Sequence, residues 1–130
     1  MENVDGLLTQ AKSGLHSLEV SQKYVDSAMK WLKVWLTDDA FSDYVPQIKH
    51  LIKAENWNVL LDSFYQVIPF GTGGRRGLVG VGPNRINTWT IQASAQGHCQ
   101  YLIRQYGDEA QQRGVVLTFD VRKYTQTGIY

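Results

Sequence analysis

The sequence predicts an α/β fold: N-terminal helices, then a glycine-rich strand and loop, then a β-α-β unit. Three observations predict it. Apolar residues recur at helical spacing through the first half of the 130-residue chain. Six glycines fall within the twelve residues 71–82. Beyond them an amphipathic stretch leads to the apolar run Val115-Val116-Leu117-Thr118-Phe119. Strand, helix and strand in that order form a crossover whose ligands gather beyond the carboxyl ends of the strands.

Taken in order, residues 1–15 are polar and weakly periodic and are expected to be frayed or loosely helical. From Ser21 onward Val25, Ala28, Met29, Leu32, Trp35 and Leu36 fall on one helical face, and Asp38 and Asp39 open a polar break. Ser42 or Asp43 can cap the next helix, with Pro46 in its first turn and Ile48, Leu51 and Ile52 on its buried side, before Glu55 and Asn56 end it. A third helix from Trp57 to Phe64 places Leu60, Leu61 and Phe64 together, and Pro69 stops it. Residues 1–65 therefore read as a helical leader, and 66–130 as the region that carries function.

In that second region the glycines around 71–82 demand a loop and strand, because the backbone must bend or approach something closely. Asn87 or Thr88 then caps a long helix on which Ile91, Ala95, Cys99, Leu102 and Tyr106 share a face, and Gly107 closes it. The run from Val115 to Phe119 reads as a strand buried on both faces, with Asp120 and Arg122 at its carboxyl end.

Charge placement says more than the total. The net charge of +1 offers no broad field for nucleic acid or an anionic membrane. Residues 1–62 carry six Lys against nine acids, whereas 63–107 carry four Arg and no acid. Arg75, Arg76 and Arg85 in that acid-free segment suit a small anion that could meet them together. One cysteine, Cys99, excludes an intramolecular disulfide framework. No stretch approaches the roughly 20 apolar residues of a membrane span, and no signal-peptide pattern opens the chain, so a cytoplasmic protein is expected.

The stretch Phe70-Gly71-Thr72-Gly73-Gly74-Arg75-Arg76-Gly77, followed by Gly80-Val81-Gly82-Pro83-Asn84-Arg85-Ile86-Asn87, carries the functional signal. A dinucleotide fingerprint beginning at Gly71 needs glycine at position 76, and a P-loop needs Gly-Lys-Ser/Thr; neither is present. What remains is a turn offering backbone N–H groups beside guanidinium forks, which suits a phosphate. A plain glycine turn with a solvated arginine edge fits the same composition.

This stretch resembles the Phe-Gly-Thr-x-Gly-x-Arg-Gly signature of the α-D-phosphohexomutase superfamily, which includes phosphoglucomutases, phosphomannomutases and phosphopentomutases. The resemblance continues through Asn84-Arg85-Ile86-Asn87, Ile91, Gln96-Gly97, Gly114-Val115-Val116 and Asp120-x-Arg122, and reaches back to Trp31-Leu32 and Phe64, as in the larger, phosphopentomutase-like branch. It implies the N-terminal part of domain I, a three-layer α/β/α domain with a mixed sheet. The implied activity passes a phosphoryl group between a phosphoserine and a phosphosugar through a sugar bisphosphate, with Mg²⁺ neutralising developing charge. The partners implied are a phosphosugar and the remaining domains of the same polypeptide.

Carried over by resemblance, Arg76 matches the signature arginine and would stabilise the moving phosphoryl group. Thr72, Gly73 and Gly74 would shape the turn that aims it, and Asn84, Arg85 and Asn87 are candidates for the cleft wall. Asp120 and Arg122 match the strand-end pair, although such a pair also serves simply to tie down a loop. Arg75 stands where the family usually has an apolar residue, so it is either an added phosphate contact or a surface charge. Residues 123–126 depart from the family pattern, no Thr-Ala-Ser-His-Asn-Pro-like phosphoserine loop occurs, and the metal-binding loop is likewise missing. These 130 residues are therefore expected to be inactive alone. The alternative is a stand-alone, non-catalytic module for phosphate binding or subunit interaction. His98 and Cys99 point in different directions on a helix, and His16 and His50 lack a ligand-spaced partner, so no metal site is expected.

Overall fold

The computed structural model describes residues 3–118, in two compact units that divide between Asn87 and Thr88. The first unit opens with helix α1, Val4–His16, where a frayed or loosely helical segment was expected. Asn3 caps it, its Oδ1 accepting the Asp5 N–H at 3.1 Å. Leu7, Ala11, Gly14 and Leu15 are buried along one face. Two of those four are too small to register as apolar periodicity, yet they let the neighbouring helices approach.

Helix α2, Gln22–Thr37, buries Val25, Ala28, Leu32, Trp35 and Leu36, the face its sequence spacing defines. It ends at Asp38, whose side chain accepts the Ala40 N–H at 2.9 Å and starts a 3-10 helix, Asp39–Tyr44. Helix α3, Val45–Lys53, follows directly. Ser42 and Asp43 are not its cap: Tyr44 holds that position and makes no side-chain capping bond. The preceding 3-10 turn already serves the entry, since the Val45 N–H donates to the Ser42 carbonyl. Pro46 sits in the first turn, as expected. Glu55, at φ 52°, turns the chain out of α3 and into α4, Trp57–Phe64.

These helices close around aromatic side chains. Trp35 is fully buried, stacked on Phe41 at 4.4 Å between ring centroids and meeting Phe64 edge-on at 5.6 Å. α1 packs on α2 and α4, and α3 packs on α4. Leu15, Leu32, Ile48, Ile52 and Leu60 complete a core drawn from all four helices.

From residue 65 to 87 the first unit continues as an ordered loop. Its ladder pairing amounts to two isolated bridges, Gly71 with Gly74 and Val79 with Ile86. Among the described residues no strand forms, so the mixed sheet and the first strand of the β-α-β unit are not seen. The local reason is visible: Gly80 and Gly82 take φ values of 157° and 110°, and their carbonyls accept the Asn87 side-chain amide rather than a neighbouring strand.

The second unit contains α5, Thr88–Tyr106, and the short α6, Glu109–Arg113. Gly107 closes α5 at φ 54°, its N–H donating to the Ile103 carbonyl. Arg113 reaches Glu109 at 2.8 Å and lies over the Tyr106 ring. The helix was legible in sequence but its burial was not: Ile91 is 57% exposed, Ala95, Cys99 and Tyr106 are exposed, and Leu102 is half-buried. Val115, Val116 and Leu117 form no strand and are exposed, Val116 at 92%, which corrects the expectation of a strand covered on both faces; Phe119 at its end lies outside the described residues. Within this unit no further layer of described residues exists to cover either. No helix among the described residues is long and apolar enough to cross a membrane.

Candidate functional site: a glycine-rich loop pinned to helix α4

The loop that carries Arg75 and Arg76 is built outward from the end of α4. The Asn84 N–H donates to the Ser63 carbonyl at 3.0 Å, and the Asn84 side-chain amide donates to the Asp62 carbonyl at 2.7 Å. Its Oδ1 accepts from Gln66 Nε2 at 3.1 Å. The Ile68 N–H donates to the Pro83 carbonyl at 2.8 Å, and Ile68 is itself buried. These bonds join the two ends of the loop, 66–68 and 82–85, to each other and to α4.

Arg85 adds a charged tie. It is only 7% exposed, and its Nη1 lies 2.6 Å from Asp62 Oδ2. A guanidinium in so dry a place is stabilised by an opposite charge within hydrogen-bonding reach. Residues 63–107 contain no acid, so the partner comes from the last acid before them, Asp62. The sequence showed the acid-free segment but not which of its arginines is buried, so the pairing was not legible there. Asp62, Ser63 and Gln66 went unremarked there because a helix end gives no motif.

From this base the chain runs back to the arginines. The Ile86 N–H donates to the Leu78 carbonyl at 2.8 Å, and the Gly80 N–H donates to the Ile86 carbonyl at 3.1 Å. The tip is a tight turn in which the Gly71 N–H donates to the Gly74 carbonyl at 2.9 Å and the Gly73 N–H donates to the Gly71 carbonyl at 2.9 Å. Gly73 and Gly74 sit at φ 146° and 143°, which only glycine adopts readily. The amides of Gly71, Gly73 and Gly74 are thus engaged within the turn, the Gly74 N–H more loosely at 3.4 Å from the Gly71 carbonyl.

The candidate residues fall into three groups. Thr72 and Arg76 are exposed on the loop, and Arg75 beside them is half-buried. Asn84, Arg85 and Asn87, expected on a cleft wall, are structural ties: Asn84 and Arg85 to α4, Asn87 across the loop to the carbonyls of Gly80 and Gly82 at 2.9 and 2.8 Å. Arg85 is therefore tied to α4 and does not accompany Arg76 at the exposed part of the loop. Asp120 and Arg122 lie outside the described residues. Among the described residues no group of three or more His, Cys, Asp or Glu side chains could hold a metal ion.

A glycine-shaped turn that carries arginines from a helical base has the chemistry to meet an anion. Comparison with known proteins gives it a family. Over 94 residues, 72% of this chain, it is 37% identical to the human phosphopentomutase. It is 36% identical over 81 residues to a probable phosphoribomutase of Schizosaccharomyces pombe, and 41% identical over 59 residues to a phosphoglucomutase of Staphylococcus saprophyticus. Those matches take in 62% and 45% of this chain. No family model and no solved structure matches the chain. The chain belongs to the phosphohexomutase-type superfamily. It spans 15% of the length of the human relative and 14% and 10% of the other two.

Proposed function

We propose that this chain forms the opening part of a phosphosugar mutase, in which Arg76 faces the phosphoryl group that moves. The observation that carries this reading is the placement of Arg76. It is exposed on a loop that matches the family signature, and that loop is tied at its base by Asn84, Arg85 and Asn87. A guanidinium held in place before the reaction stabilises charge that develops on phosphoryl oxygens without having to reorganise. Thr72, Gly73 and Gly74 shape the turn, and Arg75 adds positive charge beside it. The complete reaction shifts phosphate within a sugar phosphate, through a phosphoserine and a sugar bisphosphate, with Mg²⁺ supplied with ligands from the remaining domains of the same polypeptide. A cytoplasmic location fits such a substrate.

The test begins with the native protein, detected by antibody and mapped by peptides beyond Tyr130. A heavier chain containing a Ser-His-Asn-Pro-like peptide is expected. That protein should convert ribose-1-phosphate or glucose-1-phosphate when primed with a sugar bisphosphate, and the 130 residues alone should not. Arg76→Ala should lower kcat by roughly 10²–10³-fold and raise KM less, the pattern of a contact that strengthens in the transition state. An unchanged kcat removes Arg76 from the mechanism. Absence of turnover by the native protein, together with retained phosphate binding, would instead establish a non-catalytic phosphate-binding module.

A further inference from the structure

Arg85 is the one charged residue that is buried among those described. Its partner Asp62 is at the end of α4, between Leu60 and Phe64, both fully buried in the helical core. The next residue after Arg85, Ile86, makes both of the backbone bonds that hold the arm leading to Arg76: its N–H donates to the Leu78 carbonyl, and its own carbonyl accepts the Gly80 N–H. Arg76 lies two residues before Leu78. A path of short bonds therefore runs from the core, through Asp62, Arg85 and Ile86, to Leu78, two residues along the chain from Arg76.

We propose that the Asp62–Arg85 ion pair is a positioning element for Arg76, so that the helical segment contributes a carboxylate to the function of the loop as well as a base for it. The proposal rests on the mutase reading given above. A loop of this kind can stay folded while its tip drifts, and displacements of about 1 Å can cost up to 10²-fold in rate. Asp62 suits the test because its side chain is 54% exposed, so its replacement opens no cavity in the core.

The experiment places Asp62→Asn and Asp62→Glu in the native full-length protein, each with Arg76 intact and with Arg76→Ala. With Arg76 intact, Asp62→Asn is expected to lower kcat roughly tenfold with little change in KM, and Asp62→Glu to recover most of the loss. In the Arg76→Ala background Asp62→Asn should cost nothing further, because the two residues act through one contact. Equal losses in both backgrounds would overturn the proposal. Amide exchange supplies a readout independent of turnover: Asp62→Asn should speed exchange at Gly80 and Ile86 by about tenfold while α2 and α3 keep their protection. If the native protein turns over no sugar phosphate, faster exchange at Gly80 and Ile86 upholds the positioning role while the mutase reading falls. Unchanged exchange there refutes the positioning role whatever the activity.

Discussion

Gly14 of α1 lies so close to Trp57, the first residue of α4, that a Cβ at Gly14 would clash with the indole ring. The absent side chain is what allows the two helices to touch. In most helix interiors Gly→Ala stabilises by about 0.5–1 kcal/mol, through the unfolded chain's lost freedom. At Gly14 the sign should reverse: Gly14→Ala should destabilise by about 1–3 kcal/mol, the cost of overpacking a filled contact. Gly6, in the same helix, has nothing within 4 Å of its would-be Cβ, so Gly6→Ala should show the ordinary gain. Urea unfolding of the two variants checks the contrast, and shifts of the same sign would place α1 wrongly against α4.

A second close approach holds the functional loop. Gly82 has φ 110°, and a Cβ there would collide with the Ser63 carbonyl oxygen, the same oxygen that accepts the Asn84 N–H. Gly82→Ala therefore meets both backbone strain and a backbone clash, and about 2–4 kcal/mol of stability should be lost. Thermal unfolding measures the loss. A variant as stable as the parent would mean that the loop does not sit on α4 as described.

The two glycines mark where sequence reading succeeds and fails. α2 and α4 were legible because large apolar residues, Val25 to Leu36 and Leu60 to Phe64, repeat at helical spacing. α1 was not, because Ala11 and Gly14 bury by being small, and smallness leaves no periodic signal. In α5 the stripe from Ile91 to Tyr106 announced a helix with an apolar face, but periodicity cannot say what covers that face. The loop showed its glycines and arginines plainly. Its division of labour depended on folding, since Arg85 and Arg76 have the same chemistry until Asp62 claims one of them. Asn84 and Asn87 looked equally suited to a ligand, yet a side-chain amide satisfies a backbone carbonyl just as well.

Trp35 tests whether the 3-10 segment belongs to the core. Its ring stacks on Phe41 and lies 4.9 Å from Tyr44, both supplied by that segment. Trp35→Ala should cost about 3–5 kcal/mol, through lost burial and the cavity left behind. Trp35→Phe keeps a ring against Phe41 and should cost about 1–2 kcal/mol. Urea midpoints order the two. If the costs were equal, stacking on Phe41 would contribute nothing.

Asn84 separates a structural role from a ligand-binding one most directly. Its Nδ2 donates to the Asp62 carbonyl and its Oδ1 accepts from Gln66, so both ends of the amide are engaged. Asn84→Asp keeps the shape but turns the donor into an acceptor facing that carbonyl, which belongs to the same residue as the Asp62 carboxylate. Asn84→Ala removes both bonds and lets water reach the exposed Asp62 carbonyl. The alanine variant should lose about 1 kcal/mol, whereas the aspartate variant should lose about 1–3 kcal/mol, because an unsatisfied or repelled polar group costs more than a deleted one. Phosphate affinity, titrated by calorimetry, should stay with the parent in Asn84→Ala and fall in Arg76→Ala. Were Asn84 a wall of the ligand site instead, alanine there would leave the melting temperature in place and weaken phosphate binding.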